Sequence, residues 1–297
     1  MWHGCRVNRW LLGARPRTLP AAVVPVALGA ACAVGAGVGA GTAVWWRGAV
    51  ALVVSLALQV GVNFANDYSD GVRGTDDVRA GPARLVGGGL ASARAVKLAA
   101  YAAFGVAAVA GAVLALATTL WLIPVGVAAI LAGWLYTGGP NPYGYIGLGE
   151  VFVFVFFGLV ATVGTTFAIV ERLPGLSWLC GVLAGLLACA LLVVNNLRDI
   201  PTDTLAGKRT LAVRIGDEWT RLLYIGLVIL AAAIIGAIGA SRPIALLGLV
   251  GLPVAAPAIG RVHHGAAGRE LIAVLGITGK VQLVMGIGTA IGIALGA

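Results

Sequence analysis

The chain has 297 residues, of which 60% are hydrophobic and only 10% are charged, and its formal net charge at pH 7 is +9. In soluble globular domains about a quarter of the residues are charged and fewer than half are apolar, so this composition excludes a soluble domain. Disorder and a collagen-like fold are excluded too, because the 45 glycines lie among alanine, valine and leucine without a three-residue period. We therefore expect a polytopic membrane protein.

Long apolar runs predict nine transmembrane helices, since one crossing of the bilayer needs about 20 apolar residues. The runs do not alternate with polar residues, which excludes a transmembrane β-barrel. The predicted spans are 19–40, 48–65, 98–116, 119–137, 151–170, 174–195, 222–240, 243–260 and 271–294. Together they predict a single transmembrane domain over residues 1–297.

Basic residues between the spans predict the orientation, because cytoplasmic connections are enriched in Lys and Arg. With a cytoplasmic N-terminus, sixteen Lys and Arg residues face the cytoplasm and only Arg47, Arg172 and Arg242 face the opposite side. We therefore expect a multi-pass protein of the cell membrane whose N-terminus is cytoplasmic and whose C-terminus, after nine spans, is external.

Charge is concentrated in two cytoplasmic connections, 66–97 and 196–221, which hold 18 of the 31 charged residues. One connection follows the second span and the other follows the sixth. This spacing predicts two four-helix repeats, at about 15–137 and 148–260, and a ninth helix at about 271–294. Both connections face the same compartment, so the repeats are predicted to be parallel rather than inverted.

The first connection begins with four polar residues at helical spacing, Asn63, Asn66, Asp67 and Asp70. If the second span continues through them, all four lie on one face of its cytoplasmic end.

A matching polar face follows the sixth span. Asn195, Asp199 and Asp203 are four residues apart, and Asn196 lies three residues before Asp199. Pro201 is expected to bend or end this helix.

Carboxylates aligned on one helix face at a membrane boundary repel one another, and the low-dielectric surroundings screen the repulsion poorly. A cation has to offset this repulsion. Mg²⁺ prefers oxygen ligands and is typically held by one or two carboxylates together with substrate phosphates and water. Two facing Asp pairs among Arg and Lys residues therefore predict a diphosphate bound through Mg²⁺. The alternative is that the acids are solvated helix ends paired with nearby arginines.

Both acidic segments resemble the Asp-rich motifs of the UbiA superfamily of intramembrane prenyltransferases. They read N-D-x-x-D at 66–70 with G-V-R-G-T-D at 71–76, and N-x-R-D-x-x-x-D at 196–203 with G-K-R-T-L-A-V-R-I-G at 207–216. Further segments resemble the branch that prenylates 1,4-dihydroxy-2-naphthoate: A-R-P-R-T-L-P-A at 14–21, G-P-A-R at 81–84 and Y-T-G-G-P-N-P-Y-G-Y-I-G-L-G-E at 136–150. Gly74, where other branches often have an acid, and Asp76 two residues later also fit this branch.

The resemblance implies a nine-helix bundle around a central cavity, with the Asp motifs at its cytoplasmic end and the polyprenyl chain leaving towards lipid. It implies transfer of a polyprenyl group from polyprenyl diphosphate to dihydroxynaphthoate, with loss of CO₂ and pyrophosphate, giving demethylmenaquinol for menaquinone synthesis. Two Mg²⁺ ions that bridge the diphosphate are the expected cofactor. The lipid bilayer is the expected environment, and no nucleic-acid partner is expected.

Site residues follow from the two motifs and the resemblance. The predicted catalytic metal ligands are Asp67, Asp70, Asp199 and Asp203, with Asn66 as a further ligand. The predicted substrate-binding residues are Asn63, Asn66, Arg73, Asp76, Arg84, Tyr136, Asn195, Asn196, Arg198, Lys208 and Arg209. The basic residues among them also fit lipid-headgroup contacts, and the tyrosine also fits a membrane-interface position.

Three further polar residues have two interpretations each. Arg15 and Arg17, at the mouth of the first span, are expected either to contact the aromatic carboxylate or to anchor the helix. Glu150 is either a helix N-terminal charge, favoured by the helix dipole, or a polar group of the site.

Other functions match parts of the sequence. D-Y-S-D-G-V-R at 67–73 resembles the D-x-x-D-G of CDP-alcohol phosphotransferases, but Gly74 and Thr75 replace the Ala-Arg pair that follows in those enzymes. A cation-coupled transporter would place its acids near the bilayer midplane between inverted repeats, whereas these acids lie at one membrane face. Within the UbiA superfamily, prenyltransferases of other aromatic acceptors, such as 4-hydroxybenzoate, stay open as alternatives.

Overall fold

The computed structural model describes residues 8–34, 43–74 and 84–297. Within these ranges the chain is helical and contains no β-strand, which confirms the predicted all-α fold. The α-helices are α1 Arg9–Ala14, α2 Pro20–Val34, α3 Trp45–Arg73, α4 Ala93–Ala117, α5 Leu122–Leu135, α6 Gly149–Val153, α7 Ala161–Val170, α8 Gly175–Leu205, α9 Leu211–Ser241, α10 Gly251–His263 and α11 Glu270–Leu295. Short 3₁₀ helices lie at Pro16–Thr18, Tyr143–Ile146 and Pro243–Val250, and a π-helical stretch, Phe154–Val160, joins α6 to α7.

Seven helical segments of the described chain are long and apolar enough to cross a membrane. Arg9–Thr18 and Pro20–Val34, which meet at an angle of 50°, form an eighth crossing if they are counted as one bent span. The predicted span 119–137 contains only α5, whose 14 residues are about 21 Å long, less than the ~30 Å hydrocarbon core. The multi-pass membrane fold is confirmed, whereas the count of nine spans is not, and the division into two repeats stays a prediction.

The two Asp motifs lie on α3 and α8, and both helices are longer than the apolar part of a membrane. They have 29 and 31 residues, so at 1.5 Å per residue they are about 44 and 47 Å long, well above the ~30 Å core. α3 ends at Arg73, where Gly74 takes a φ of 69° and its N–H donates to carbonyls of the last turn. Pro201 does not end α8, which continues to Leu205. Both acidic motifs therefore lie on continuous helices.

α8 occupies the centre of the bundle and packs against α2, α9, α11 and the π-helical stretch. Of the 18-residue apolar stretch of α8, 78% is buried, a larger share than in any other spanning helix of the described residues. A Cβ added at Gly158 would lie 2.6 Å from the Cα of Gly185 and 2.7 Å from the carbonyl oxygen of Gly181. Small residues on both segments thus allow the close approach that brings α6 and the π-helical stretch onto α8.

Arg47 joins three helix ends on the side of the bundle opposite the Asp motifs. Its guanidinium donates to Glu171 Oε1 at 2.6 Å, to the carbonyl of Ala117 at 2.6 Å and to that of Ala168 at 3.3 Å. The two carbonyls belong to the last turns of α4 and α7, where the helix dipole favours a cation. The start of α3 thus meets the ends of α4 and α7, as the predicted alternation of spans requires.

We expect Arg47→Ala to lower the free energy of unfolding by about 2–4 kcal/mol, because charge-assisted hydrogen bonds to two helix ends and one carboxylate are lost together. Thermal unfolding of the purified protein in detergent measures the effect. Arg172→Ala is the matched control, since its side chain is exposed on the same side of the bundle. Equal unfolding midpoints for the two variants would contradict the assignment.

Candidate active site

A cavity of about 330 Å³ lies among the helices and has one polar end and one apolar wall. Ten of the predicted site residues line its polar end: Asn63, Asn66, Asp70, Arg84, Tyr136, Asn195, Asn196, Asp199, Asp203 and Lys208. The apolar wall includes Leu58, Leu114, Leu122, Phe156 and Val160. Leu114 is in the last turn of α4 and Leu122 begins α5. The cavity therefore extends from the Asp motifs across most of the membrane depth.

Lys208 connects the two Asp motifs. Its Nζ lies 3.1 Å from Asp70 Oδ1, 3.9 Å from Asp203 Oδ1 and 4.7 Å from the ring centroid of Tyr145. Burial alone lowers the pKa of Lys208, but the attraction of Asp70, Tyr145 and Asp203 outweighs burial and raises this pKa above its ordinary value. Lys208 is therefore a buried cation that offsets the repulsion between the two motifs.

Tyr145 is a site residue that the sequence analysis missed. Its hydroxyl donates to Asp70 Oδ1 at 2.6 Å, and its side chain lines the cavity. Burial and the charge of Asp70 raise the pKa of Tyr145, so its hydroxyl remains a donor at neutral pH. In sequence, Tyr145 lies in the segment 136–150 that carries the family resemblance, but the Tyr-Gly-Tyr of residues 143–145 does not indicate which tyrosine faces the motif.

Arg198 pairs with its own neighbour in the second motif. Its Nε and Nη2 each donate to a carboxylate oxygen of Asp199 at 2.7 Å, and Nη2 also donates to Asn195 Oδ1 at 2.8 Å. Asp199 and Asn195 line the cavity, whereas Arg198 is 5% exposed and lies behind them. The geometry thus has Arg198 orienting two cavity residues, and the direct substrate contact predicted for it stays a prediction.

Asp67 differs from the other motif acids. It is 1% exposed, and its carboxylate oxygens accept hydrogen bonds from the backbone N–H groups of Leu85 and Val86 at 3.0 and 3.1 Å. These N–H groups follow Arg84, which lines the cavity, so Asp67 positions the backbone that carries this arginine. Asp67 itself does not line the cavity, and its predicted role as a metal ligand stays a prediction.

Three predicted substrate contacts lie outside the cavity lining or outside the described residues. Arg73 donates to the carbonyl of Thr137 at 2.7 Å, and its guanidinium lies 5.2 Å from the ring centroid of Tyr145. The side chain of Arg209 is exposed, while its backbone N–H donates to the carbonyl of Tyr145 at 2.8 Å. Both arginines hold the connection that carries Tyr145. Asp76 lies outside the described residues.

The amide side chains of the cavity are oriented by neighbouring polar groups. Asn66 Oδ1 accepts from the hydroxyl of Thr137 at 2.8 Å, and Asn196 Nδ2 donates to Glu150 Oε1 at 3.0 Å. Because Glu150 takes the amide nitrogen, the carbonyl oxygen of Asn196 is turned away from it. Glu150 Oε2 is buried and has no hydrogen-bond partner in the described part of the chain. Of the two interpretations of Glu150, the structure favours a polar group beside the site.

The oxygen atoms at the polar end fit Mg²⁺ that is bound together with a diphosphate. Among residues 8–34, 43–74 and 84–297, no three His, Cys, Asp or Glu side chains are grouped closely enough to form a metal site by themselves. Asp70, Asp199 and Asp203 nevertheless line one cavity with several amide groups. Mg²⁺ usually takes one or two carboxylates and completes its shell with phosphate oxygens and water.

Comparisons with known proteins identify the family and agree with the fold. Residues 22–271 match the UbiA prenyltransferase family. The chain is 50% identical over 288 residues, 97% of each chain, to the 1,4-dihydroxy-2-naphthoate octaprenyltransferase of Mycobacterium tuberculosis. The apo structure of a UbiA homologue from Aeropyrum pernix has a TM-score of 0.70 and 15% identity over 96% of this chain and 99% of that one. A UbiA homologue from Archaeoglobus fulgidus, solved with DMAPP and Mg²⁺, has a TM-score of 0.57 and 16% identity over 95% of this chain and 99% of that one. The chain is a member of the UbiA prenyltransferase family.

Proposed function

We propose that this protein transfers a polyprenyl group from a polyprenyl diphosphate to 1,4-dihydroxy-2-naphthoate, with release of pyrophosphate and CO₂, in menaquinone synthesis. The observation that carries the proposal is a single cavity with two parts. Both Asp motifs and Lys208 form its polar end, and apolar side chains form its long wall. The 50% identity to the dihydroxynaphthoate enzyme of Mycobacterium tuberculosis supports the choice of acceptor.

The shape and chemistry of the cavity match a charged head on a long apolar chain. The diphosphate fits beside Asp70, Asp203 and Lys208, while the prenyl chain fits along the wall that includes Leu114 and Leu122. An apolar wall also keeps water from the reacting carbon, where it would compete with the acceptor.

We assign two Mg²⁺ ions to the oxygen atoms of Asp70, Asp199, Asp203 and Asn66, which line the cavity. For Asp67, predicted from the sequence as a further metal ligand, we propose instead that its carboxylate holds the backbone beside Arg84. When bound, Mg²⁺ neutralises charge on the diphosphate and thereby stabilises the departing pyrophosphate. Lys208 supports the same leaving group, since its cation lies between the two motifs.

In the proposed reaction the allylic C–O bond breaks and its electron pair leaves with pyrophosphate. The aromatic rings of Tyr136, Phe152 and Phe156 line the cavity and stabilise the allylic cation through their faces. The ring carbon that bears the carboxylate then bonds to the allylic carbon. Cleavage of the bond to the carboxylate returns an electron pair to the ring and releases CO₂.

We propose the same orientation in the cell membrane as the basic residues predict, with the N-terminus and the Asp motifs cytoplasmic and the C-terminus external. The division into repeats at about 15–137 and 148–260 is part of this proposal. Its support is the pair of long helices, α3 and α8, that carry the motifs.

The test is a prenyl-transfer assay on the full chain in lipid nanodiscs. A polyprenyl diphosphate is supplied with Mg²⁺ and with 1,4-dihydroxy-2-naphthoate, 4-hydroxybenzoate or homogentisate, and products are identified by mass. We expect a prenylated product that lacks CO₂ from the naphthoate, and none after chelation of Mg²⁺. Preference for another acceptor, or no product from the naphthoate, would overturn the proposal.

A further inference from the structure

Glu150 is a carboxylate beside the cavity that no step of the proposed reaction uses. It lies in the first turn of α6, and its Oε2 atom is buried without a hydrogen-bond partner in the described part of the chain. Its Oε1 atom accepts the amide N–H of Asn196 at 3.0 Å. No Lys, Arg or His among the described residues forms an ion pair with it. A buried carboxylate without a cation is costly, so Glu150 is a strong acceptor for a proton.

Tyr136 lies between Glu150 and the cavity. The side chain of Tyr136 lines the cavity, whereas Glu150 does not. A Cβ added at Gly149, the residue before Glu150, would lie 3.2 Å from Cε2 and 3.6 Å from the hydroxyl oxygen of Tyr136. The hydroxyl end of this tyrosine therefore lies against the first turn of α6. Among residues 8–34, 43–74 and 84–297, none forms a hydrogen bond with that hydroxyl, which leaves it available to a ligand and to Glu150.

The α8 groups around Glu150 hold it without competing for a proton. Asn196 donates to Oε1, and the thiol of Cys189 donates to the backbone carbonyl of Glu150 at 3.2 Å. An amide stays neutral at ordinary pH, and a thiol that donates its hydrogen has no acidic partner to replace. Both contacts fix the carboxylate and leave Oε2 as its free atom.

The acids of the two motifs are less suited to accepting a proton. A nearby positive charge favours the ionised form of a carboxylate, so acids that bind Mg²⁺ or an ammonium group are poor bases. Asp70 and Asp203 both lie beside Lys208, and Asp199 is paired with Arg198. Glu150 has no such cation in the described chain.

The proposed reaction needs a group that holds one proton for a short time. When the ring carbon that bears the carboxylate bonds to the allylic carbon, the neighbouring hydroxyl becomes a carbonyl and releases its proton. Cleavage of the bond to the carboxylate then releases CO₂ and moves an electron pair towards that carbonyl oxygen, which takes a proton back. The two transfers cancel, so no proton is consumed overall.

We propose that Glu150 holds this proton and receives it through the hydroxyl of Tyr136. The acceptor hydroxyl gives its proton to the Tyr136 oxygen while Tyr136 passes its own proton to Glu150 Oε2, and both transfers reverse after CO₂ has left. Tyr136 contacts the substrate, and Glu150 acts through it. The inference rests on the proposed function, because it requires an acceptor with a hydroxyl beside the prenylated carbon.

Glu150→Gln tests the inference, because glutamine keeps the size of the side chain and a carbonyl for Asn196 but does not take up a proton. We expect the rate of prenyl transfer to dihydroxynaphthoate to fall about 10²- to 10³-fold, within the usual contribution of a general base. Glu218→Gln is the matched control, since its side chain is exposed and lies outside the cavity lining, and it is expected to behave as the unsubstituted protein.

Tyr136→Phe is a second variant, which keeps the aromatic ring and removes the hydroxyl. It is expected to show the same fall as Glu150→Gln, and the double variant is expected to lose no more than either single variant, because both residues serve one transfer. Independent, multiplying losses in the double variant would contradict a shared role.

Isotope exchange in the prenyl diphosphate separates this role from a structural one. A heavy-oxygen label in the bridge between carbon and phosphorus moves to other oxygens of the same phosphate when the allylic bond breaks and re-forms. In Glu150→Gln and in Tyr136→Phe we expect this exchange to continue while prenyl transfer falls. Equal loss of exchange and transfer, or unchanged transfer, would overturn the inference and leave the proposed function intact. Absence of product from the unsubstituted protein with dihydroxynaphthoate would overturn the proposed function instead.

Discussion

Asp70→Asn is expected to lower prenyl-transfer turnover by about 10³-fold, the size of effect seen when a group that stabilises developing charge is removed. Asp70 lines the cavity and holds both Lys208, at 3.1 Å, and the hydroxyl of Tyr145, at 2.6 Å. The amide keeps the size of the side chain but removes the negative charge that Mg²⁺ and Lys208 require. Initial rates measured against Mg²⁺ concentration are expected to show both a lower maximum and a higher Mg²⁺ requirement.

Two asparagine variants serve as controls for Asp70→Asn. Asp217→Asn is expected to retain full activity, because the side chain of Asp217 is 59% exposed and pairs with Arg221 away from the cavity. Asp67→Asn is expected to lower the rate without raising the Mg²⁺ requirement, since its carboxylate holds backbone N–H groups. An equal rise in the Mg²⁺ requirement for Asp67→Asn and Asp70→Asn would restore Asp67 to the metal ligands.

Lys208→Met is expected to raise the KM for the prenyl diphosphate by about 100-fold, because removing one partner of a buried ion pair leaves the other charge uncompensated. In this variant Asp70 and Asp203 face one another without their shared cation, which also takes a positive partner from the diphosphate. Steady-state kinetics with the prenyl diphosphate as the varied substrate measure the effect.

Lys97→Met is the matched control for Lys208→Met. Lys97 belongs to the predicted cytoplasmic connection but contacts the rings of Tyr68 and Tyr101 and does not line the cavity. We expect the KM of the prenyl diphosphate to be unchanged in this variant. A larger effect of Lys208→Met on the acceptor KM than on the diphosphate KM would contradict the placement of the diphosphate beside Lys208.

Helices were predictable where the signal is local. Apolar runs predicted the long spans, and the spacing of Asn63, Asn66 and Asp70 predicted that α3 continues through its acids, as it does to Arg73. The local signal failed to decide between a bend and a helix end at Pro201, and α8 continues through it to Leu205. It also failed at α5, whose apolar run is longer than the helix that it forms.

The sequence predicted which residues line the cavity better than it predicted what each of those residues contacts. Arg198 and Lys208 are both basic residues next to acids, yet Arg198 lies behind Asp199 and Lys208 lies between the motifs. Likewise Asp67 and Asp70 share one helix face, but only Asp70 lines the cavity. Neighbours from other helices decide the direction of each side chain, and helical spacing does not contain that information.

By itself the sequence determined that the chain spans the membrane and that two polar faces lie at one end of it, because hydropathy and helical periodicity are properties of neighbouring residues. Only the tertiary structure decided which groups meet there. Asp70 contacts Lys208 and Tyr145, which are 138 and 75 residues away in the chain, and Arg15 rather than Arg17 lines the cavity. Such contacts form at about 3 Å and depend on how whole helices pack, so no local pattern specifies them.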